Sequence, residues 1–140
     1  MREIKFRVFI KWLKIILEVE NINFVNQRVY CKTETGKQNP CDFYNFDSVV
    51  FIQSIGLKDK NGLEIYNGDI VVYDDTPYNA HASILTGVVR MENLSFKLIS
   101  IKPDSLGYRK MLIGSDDFFN IKSKVIGNIY ENPELLKKEN

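Results

Sequence analysis

Two Asn-Gly pairs, six residues apart, constrain the fold of this chain more than any other feature of its sequence. Asn61-Gly62 and Asn67-Gly68 both lie within residues 56–71, and an apolar run begins soon after the second pair. Because Asn and Gly adopt a positive φ at little cost, such pairs mark tight turns, often the kind that joins twisted antiparallel strands. The segment therefore predicts β-structure, and we expect Gly62 and Gly68 each to have a positive φ.

Three stretches of the sequence resemble the YopX family, a group of small proteins carried by bacteriophages and prophages. They are GLKDKNGLEIYNGDIV at residues 56–71, VIGNIYENPELL at residues 125–136, and REIKFR at residues 2–7. The resemblance implies a mainly β protein with a barrel similar to SH3-type folds. It implies no assigned activity and supplies no catalytic residues.

Length and composition fit a soluble globular protein. Of the 140 residues, 44% are hydrophobic and 26% are charged, so the chain can bury a core and differs from a disordered segment. The fold class that we predict is mainly β (α+β), with an N-terminal β-rich subdomain over residues 1–55. An SH3-like small barrel with a short C-terminal helix follows over residues 56–140. The Gly68-Asp69 corner favours the barrel, since Gly allows a sharp bend and Asp can bond nearby backbone amides.

The periodicity of apolar residues predicts the individual elements. Apolar residues at even positions from Ile4 to Trp12 predict a first strand, but the spacing of Phe9, Trp12, Leu13, Ile16 and Leu17 also fits a helix. Residues 9–17 are therefore predicted as strand or helix. Further strands are predicted at 24–31, 48–55, 70–73, 83–91, 94–101 and 124–130, with a turn or strand end at 18–23 and loops at 33–45 and 102–110. One helical turn with Ser115 as its N-cap is predicted within 115–121, and Asn132 should cap a short helix that begins at Pro133.

Basic and aromatic side chains concentrate near the N terminus. Residues 1–14 hold five basic residues and one acid, whereas the whole chain has a net charge of only +1. Aromatic rings beside cations are typical of single-stranded nucleic-acid sites, although aromatic residues in a core with lysines outside it would give the same pattern. The candidate partner-binding surface consists of Arg7, Phe9, Lys11, Trp12 and Lys14.

Patterns for catalysis or metal binding are weak in this sequence. The one histidine is His81, and Cys31 and Cys41 are nine residues apart with no second cysteine pair, whereas zinc sites use four ligands. Neighbouring residues on a strand point to opposite faces, so the pairs Asp74-Asp75 and Asp116-Asp117 do not converge unless a loop bends them. We expect no cofactor, no metal site and no enzymatic activity. The alternative is a small metal-dependent hydrolase or nuclease that uses Asp74, Asp75 or Asp116.

The predicted function is that of a non-enzymatic accessory binding protein of a phage or prophage. Near-neutral charge gives little long-range attraction to phosphate, so a protein partner or a second copy of the chain, as a homo-oligomer, is favoured over nucleic acid. Residues 8–17 are apolar, but Lys11 and Lys14 interrupt them and no small-residue cleavage site follows, so we expect neither a signal peptide nor a membrane span. The expected location is the cytoplasm of a bacterial host.

Overall fold

The structure is a computed structural model, which describes residues 5–32, 43–79, 84–103, 107–114 and 119–136. Antiparallel strands dominate the described residues, which confirms the mainly β class. The chain divides into two compact units, Met1–Gln53 and Ser54–Asn140. The strands are β1 (Phe6–Ile10), β2 (Ile15–Asn23), β3 (Arg28–Cys31), β4 (Tyr44–Asn45), β5 (Val49–Lys58), β6 (Glu64–Tyr66), β7 (Asp69–Asp74), β8 (Ile84–Glu92), β9 (Ser95–Ser100), β10 (Lys110–Leu112) and β11 (Ser123–Asn128). The helix α1 (Phe119–Lys122) and two 3₁₀-helices, Phe46–Ser48 and Pro133–Leu136, complete the described elements.

Strand β1 lies at the centre of the N-terminal unit. It pairs with β2 on one side and with the first half of β5 on the other, and the sheet has the order β4-β3-β2-β1-β5-β6. The alternation along β1 places Val8 and Ile10 on one face, where both are fully buried. Burial in the same cluster raises the pKa of the Cys31 thiol to about 11, because an apolar environment disfavours the thiolate. The buried cluster consists of Val8, Ile10, Val29, Cys31, Tyr44 and Val49.

The ambiguous segment 9–17 is neither a continuous strand nor a helix. Strand β1 ends at Ile10, residues 11–14 form a turn, and β2 begins at Ile15. The Lys14 amide donates to the Ile10 carbonyl at 2.7 Å, which closes one helical turn, and Lys14 then has a φ of 56°. The helical spacing in the sequence thus reflects a single turn that closes a hairpin, and the prediction of a helix was wrong.

The next two predicted elements agree with the structure in part. Residues 18–23 are the second half of β2, which ends at Asn23, and the turn falls at residues 24–27, before β3. Glu18 and Glu20 lie on the solvent side of β2 and alternate with Val19, which packs against the core. Strands β4 and β10 lie in or at the end of segments that were predicted as loops.

The C-terminal unit contains a five-stranded antiparallel sheet with the order β10-β9-β8-β7-β11. The predicted strands at 70–73, 83–91, 94–101 and 124–130 correspond to β7, β8, β9 and β11. Asn93 and Leu94 close the β8–β9 hairpin with φ values of 52° and 66°. No pairing among the described residues joins β10 to β11, so the SH3-like barrel stays a prediction. The core of this unit consists of Ile55, Ile65, Val71, Tyr73, Val89, Leu98 and Phe119.

Both Asn-Gly pairs form turns, as predicted, but the two turns differ. Gly62 and Gly68 have φ values of 82° and 90°. The first turn closes the hairpin between β5 and β6. The second is a corner and not a hairpin, because β6 pairs with β5 whereas β7 pairs with β8 and β11.

The remaining predictions concern the C-terminal segments. Helix α1 lies within the predicted region 115–121 and extends one residue beyond it, while its proposed cap, Ser115, lies outside the described residues. The short helix at Pro133 is a 3₁₀-helix, in which the Leu135 amide donates to the Asn132 carbonyl. Among the described residues, no helix has the length and apolar character needed to cross a membrane.

We expect Gly68→Ala to destabilise the protein more than Gly62→Ala. At positive φ an L-residue costs about 1–2 kcal/mol, and this cost applies at both positions. A Cβ at residue 62 would meet no atom within 4 Å, whereas a Cβ at residue 68 would lie 2.9 Å from Cε2 of Tyr130. Gly62→Ala therefore isolates the backbone strain, and urea unfolding of both variants measures the additional crowding at residue 68. Equal losses of stability would contradict this account.

Candidate functional site

The five residues of the predicted surface divide between a turn and a strand. Lys11, Trp12 and Lys14 lie together in the β1–β2 turn, and all three are exposed. Arg7 and Phe9 lie on β1, on the face opposite Val8 and Ile10, and both are only half-exposed. The structure therefore brings three of the predicted residues together and places the other two on the adjoining strand.

Hydrogen bonds to the segment before β5 fix the turn. The Lys11 amide donates to the Ser48 carbonyl at 2.9 Å, and its ammonium group Nζ donates to the Asp47 carbonyl at 3.0 Å. Trp12 remains 59% exposed, with its ring centroid 6.4 Å from that of Tyr44. Its neighbour Leu13 packs against the core cluster instead. The turn thus presents one large aromatic side chain on an ordered backbone.

The charge of Arg7 is balanced by an acidic neighbour on β2. Its guanidinium lies 4.0 Å from the carboxylate of Glu18, which also lies 3.7 Å from the Lys32 ammonium. Phe9 pairs in register with Ile16 on β2 and with Val50 on β5. On this face Phe9 is therefore flanked by apolar side chains and Arg7 by a carboxylate.

Asp59, in the first motif, is a buried carboxylate that accepts three backbone hydrogen bonds, and the sequence reasoning did not single it out. It is only 4% exposed. Its Oδ1 accepts hydrogen bonds from the amides of Asn61 and Leu63, both at 2.9 Å, and its Oδ2 accepts one from the amide of Val125 at 2.9 Å. An Asp two residues before Asn-Gly is a signal for this geometry, because Asp side chains bond backbone amides two residues onward.

Other polar side chains of the motifs also bind backbone amides. Asp69 Oδ2 accepts a hydrogen bond from Tyr66 N–H at 2.8 Å. Asn132 Oδ1 accepts one from Asn128 N–H at 3.1 Å, and Asn128 Oδ1 accepts from the amides of Tyr130 and Glu131. These residues hold turns and corners in place. The motifs thus use their polar groups for architecture.

The carboxylates considered for metal-dependent chemistry have separate partners. Asp74 accepts hydrogen bonds from the hydroxyl and amide of Thr76, and these bonds lower the pKa of its carboxyl. Asp75 forms an ion pair of 2.8 Å with Lys122. Among the described residues, no three His, Cys, Asp or Glu side chains are close enough to hold a metal ion. Asp116, Asp117, His81 and Cys41 lie outside the described residues.

Comparison with known proteins adds a family and two structures. A family model described as YopX protein matches residues 5–137. The fold is similar to that of the crystal structure of protein EF1440 from Enterococcus faecalis, with 28% identity, a TM-score of 0.53, and coverage of 98% of this chain and 100% of the other. It is also similar to the crystal structure of the protein yopX from Bacillus subtilis, with 19% identity, a TM-score of 0.59 and the same coverage. No curated protein matches the sequence.

We expect Asp59→Ala to destabilise the protein by about 2–4 kcal/mol, because it leaves three partly buried amide donors without their acceptor. Asp59→Asn should cost less, since it retains the acceptor for Asn61 and Leu63 and loses only the oxygen that faces Val125. Asp74→Ala is the matched control, because its carboxylate accepts hydrogen bonds from the nearby Thr76 and is less buried than that of Asp59. Urea unfolding monitored by circular dichroism measures all three variants. Asp59→Ala and Asp74→Ala with the same stability would show that Asp59 has no special role.

Proposed function

The chain belongs to the YopX family, and from that premise we propose that it is a non-enzymatic accessory binding protein of a phage or prophage. It acts through contacts with other proteins, and its first partner is a second copy of the same chain. Its place of action is the cytoplasm of the bacterial host.

The exposed side chain of Trp12 is the observation that carries this proposal. Tryptophan is among the residues that contribute most to binding when they are buried at the centre of an interface. Trp12 lies between Lys11 and Lys14 in a turn whose backbone is fixed by hydrogen bonds, so little ordering is needed when it binds. Ile15, which follows the turn, is also exposed and extends the apolar surface.

A second copy of the chain fits this surface in both apolar character and charge. In a symmetric dimer, the same patch contributes to the interface from each subunit, so Trp12 of one copy packs near Trp12 of the other. Strand β2 carries the exposed Glu20 close in sequence to the turn. In this arrangement the lysines of one copy meet Glu20 of its partner at the rim of the apolar contact.

Two observations support a binding role without catalysis. Asp59 and Asp69, two buried carboxylates of the first family motif, are bonded to backbone amides. Asp74 and Asp75, the described carboxylates of the hydrolase alternative, have Thr76 and Lys122 as their respective partners. A nucleic-acid-binding role is less well supported, because Glu18 balances the charge of Arg7.

We expect the protein to form an oligomer at micromolar concentration that Trp12→Ser converts to a monomer. Light scattering coupled to size-exclusion chromatography measures the mass, and because Trp12 is the only tryptophan, its fluorescence should shift to the blue on association. Tyr78→Ser is the matched control, because both side chains are 59% exposed and Tyr78 lies in the other unit. A monomeric wild-type protein at high micromolar concentration would refute self-association.

We further expect no shift of single-stranded or duplex DNA in a gel with the wild-type protein. If the N-terminal surface did bind phosphate, neutralising about four phosphates would make the affinity fall steeply with salt. The variant carrying Arg7→Glu, Lys11→Glu and Lys14→Glu provides the comparison. A salt-sensitive shift that this triple variant loses would reverse our ranking and favour nucleic acid as the partner.

A further inference from the structure

The two Asn-Gly pairs differ in their exposure to solvent, although they share one dipeptide sequence. Asn61 and Gly62 are both exposed, and a Cβ built on Gly62 would meet no atom within 4 Å. Gly68 is buried, and a Cβ built there would lie 2.9 Å from the Tyr130 side chain and 3.4 Å from that of Ile129. Water and hydroxide therefore reach the first pair, whereas side chains that follow β11 cover the second.

An asparagine that precedes a glycine can lose the nitrogen of its side chain as ammonia. Hydroxide removes the proton of the glycine amide, and the amide nitrogen attacks the side-chain carbon Cγ without steric hindrance, because glycine has no Cβ. The Cγ–Nδ2 bond breaks, the leaving nitrogen takes a proton from water, and a five-membered succinimide ring forms. Water then opens the ring at either carbonyl, which gives aspartate or an isoaspartate whose main chain is one methylene longer. The net reaction consumes one water and releases one ammonia.

The surroundings of Asn67 oppose this reaction at two steps. Negative charge develops on Oδ1 when the amide nitrogen attacks, and Oδ1 of Asn67 is buried with no hydrogen-bond partner among the described residues. A buried charge without a hydrogen-bond donor is costly, so the intermediate is destabilised there. The Gly68 amide that would lose its proton donates at 2.8 Å to the carbonyl of Val89, a fully buried residue. The fold therefore disfavours both deprotonation and attack at the second pair.

We propose that Asn61 is a site of spontaneous deamidation and that the fold protects Asn67 from the same reaction. The Gly62 amide donates at 3.0 Å to the Asp59 carbonyl within its own turn, so a local opening of that turn is enough to release its proton to solvent. The exposed position of Asn61 lets water stabilise the charge that develops on its Oδ1. Identical dipeptides thus have different fates in one chain because their surroundings differ.

The isoaspartate product disrupts the turn that Asp59 organises. The Gly62 amide donates to the Asp59 carbonyl at 3.0 Å, and the Leu63 amide donates to Asp59 Oδ1 at 2.9 Å. In the opposite direction, the Asp59 amide donates to the Leu63 carbonyl at 2.8 Å. An additional methylene in the main chain at residue 61 lengthens the path that these three bonds span, so they cannot all keep their geometry. Because Oδ2 of Asp59 accepts a hydrogen bond from the Val125 amide, the modification weakens the connection to β11 as the protein ages.

Ageing of the full-length protein in mildly alkaline buffer at physiological temperature tests the proposal. Proteolytic cleavage after Glu64 separates the two Asn-Gly pairs, and mass spectrometry detects each deamidation as a gain of one dalton. Fragmentation of each peptide assigns the gain to its residue. We expect Asn61 to deamidate at least tenfold faster than Asn67 in the folded protein. In urea that unfolds the chain, both sites should react at similar rates, because the dipeptide is the same and the fold no longer protects either.

The melting temperature of the aged protein tests the structural consequence. Aged wild-type protein should melt at a lower temperature than fresh protein, whereas Asn61→Gln should keep its melting temperature on ageing, because glutamine would have to form a less favourable six-membered ring. Asn67→Gln is the matched control and should age like the wild type. Freshly prepared Asn61→Asp has the new charge and a normal main chain, so it should melt at a higher temperature than the aged protein.

Three outcomes would overturn the proposal. The first is a rate at Asn67 in the folded protein that equals or exceeds the rate at Asn61. The second is an Asn61 that stays unmodified in the folded protein while both sites react in urea. The third is a deamidated protein that melts at the same temperature as fresh wild type or as Asn61→Asp, which would show that isoaspartate leaves the turn intact.

Discussion

The buried carboxylate of Asp59 is the interaction on which the C-terminal unit depends. It organises the turn after β5 through the amides of Asn61 and Leu63, and it reaches Val125 on β11, 66 residues further along the chain. Two backbone hydrogen bonds join the same regions, from Lys60 N–H to the Ser123 carbonyl and from Ile129 N–H to the Gly68 carbonyl. The two longest sequence motifs, at residues 56–71 and 125–136, are therefore in direct contact. The motifs that mark the family in sequence therefore connect the turn after β5 to β11, and the hydrogen bonds to the carboxylate of Asp59 hold this connection.

Other polar side chains of the family motifs also serve the fold. Asp69, Asn128 and Asn132 use their side-chain oxygens as acceptors for nearby amides, so these groups are engaged in the folded chain. The surface that we propose for binding lies elsewhere, in the turn around Trp12. The scaffold and this proposed surface are thus separate in sequence, as is common when function resides in loops and edges on a rigid framework.

Much of the fold could be predicted where local chemistry and tertiary structure agree. Gly62 and Gly68 have the predicted positive φ because few other residues tolerate it, and the strands predicted at 83–91 and 94–101 are present as β8 and β9. The turn at residues 11–14 could not be placed, since Lys14 adopts a left-handed conformation that its side chain does not favour. Strands as short as β4 and β10 exist only through pairing with neighbours distant in sequence. For the candidate surface, the sequence predicted that Trp12 and its lysines lie close together, whereas the pairing of Arg7 with Glu18 depends on strand register and cannot be read from composition.

The position of β11 also determines the order in which the chain can fold during synthesis. Strands β7, β8 and β9 emerge from the ribosome before residues 123–128. One edge of β7 therefore stays unpaired until β11 has been synthesised. Until then the carboxylate of Asp59 lacks the hydrogen bond from the Val125 amide, and Val71 lies on an unpaired strand edge. Closing so long a loop is entropically costly, and unpaired edges invite pairing with the wrong chain. The risk of misassembly is therefore greatest before β11 has been synthesised. A chaperone or rapid completion of synthesis has its greatest effect in that interval.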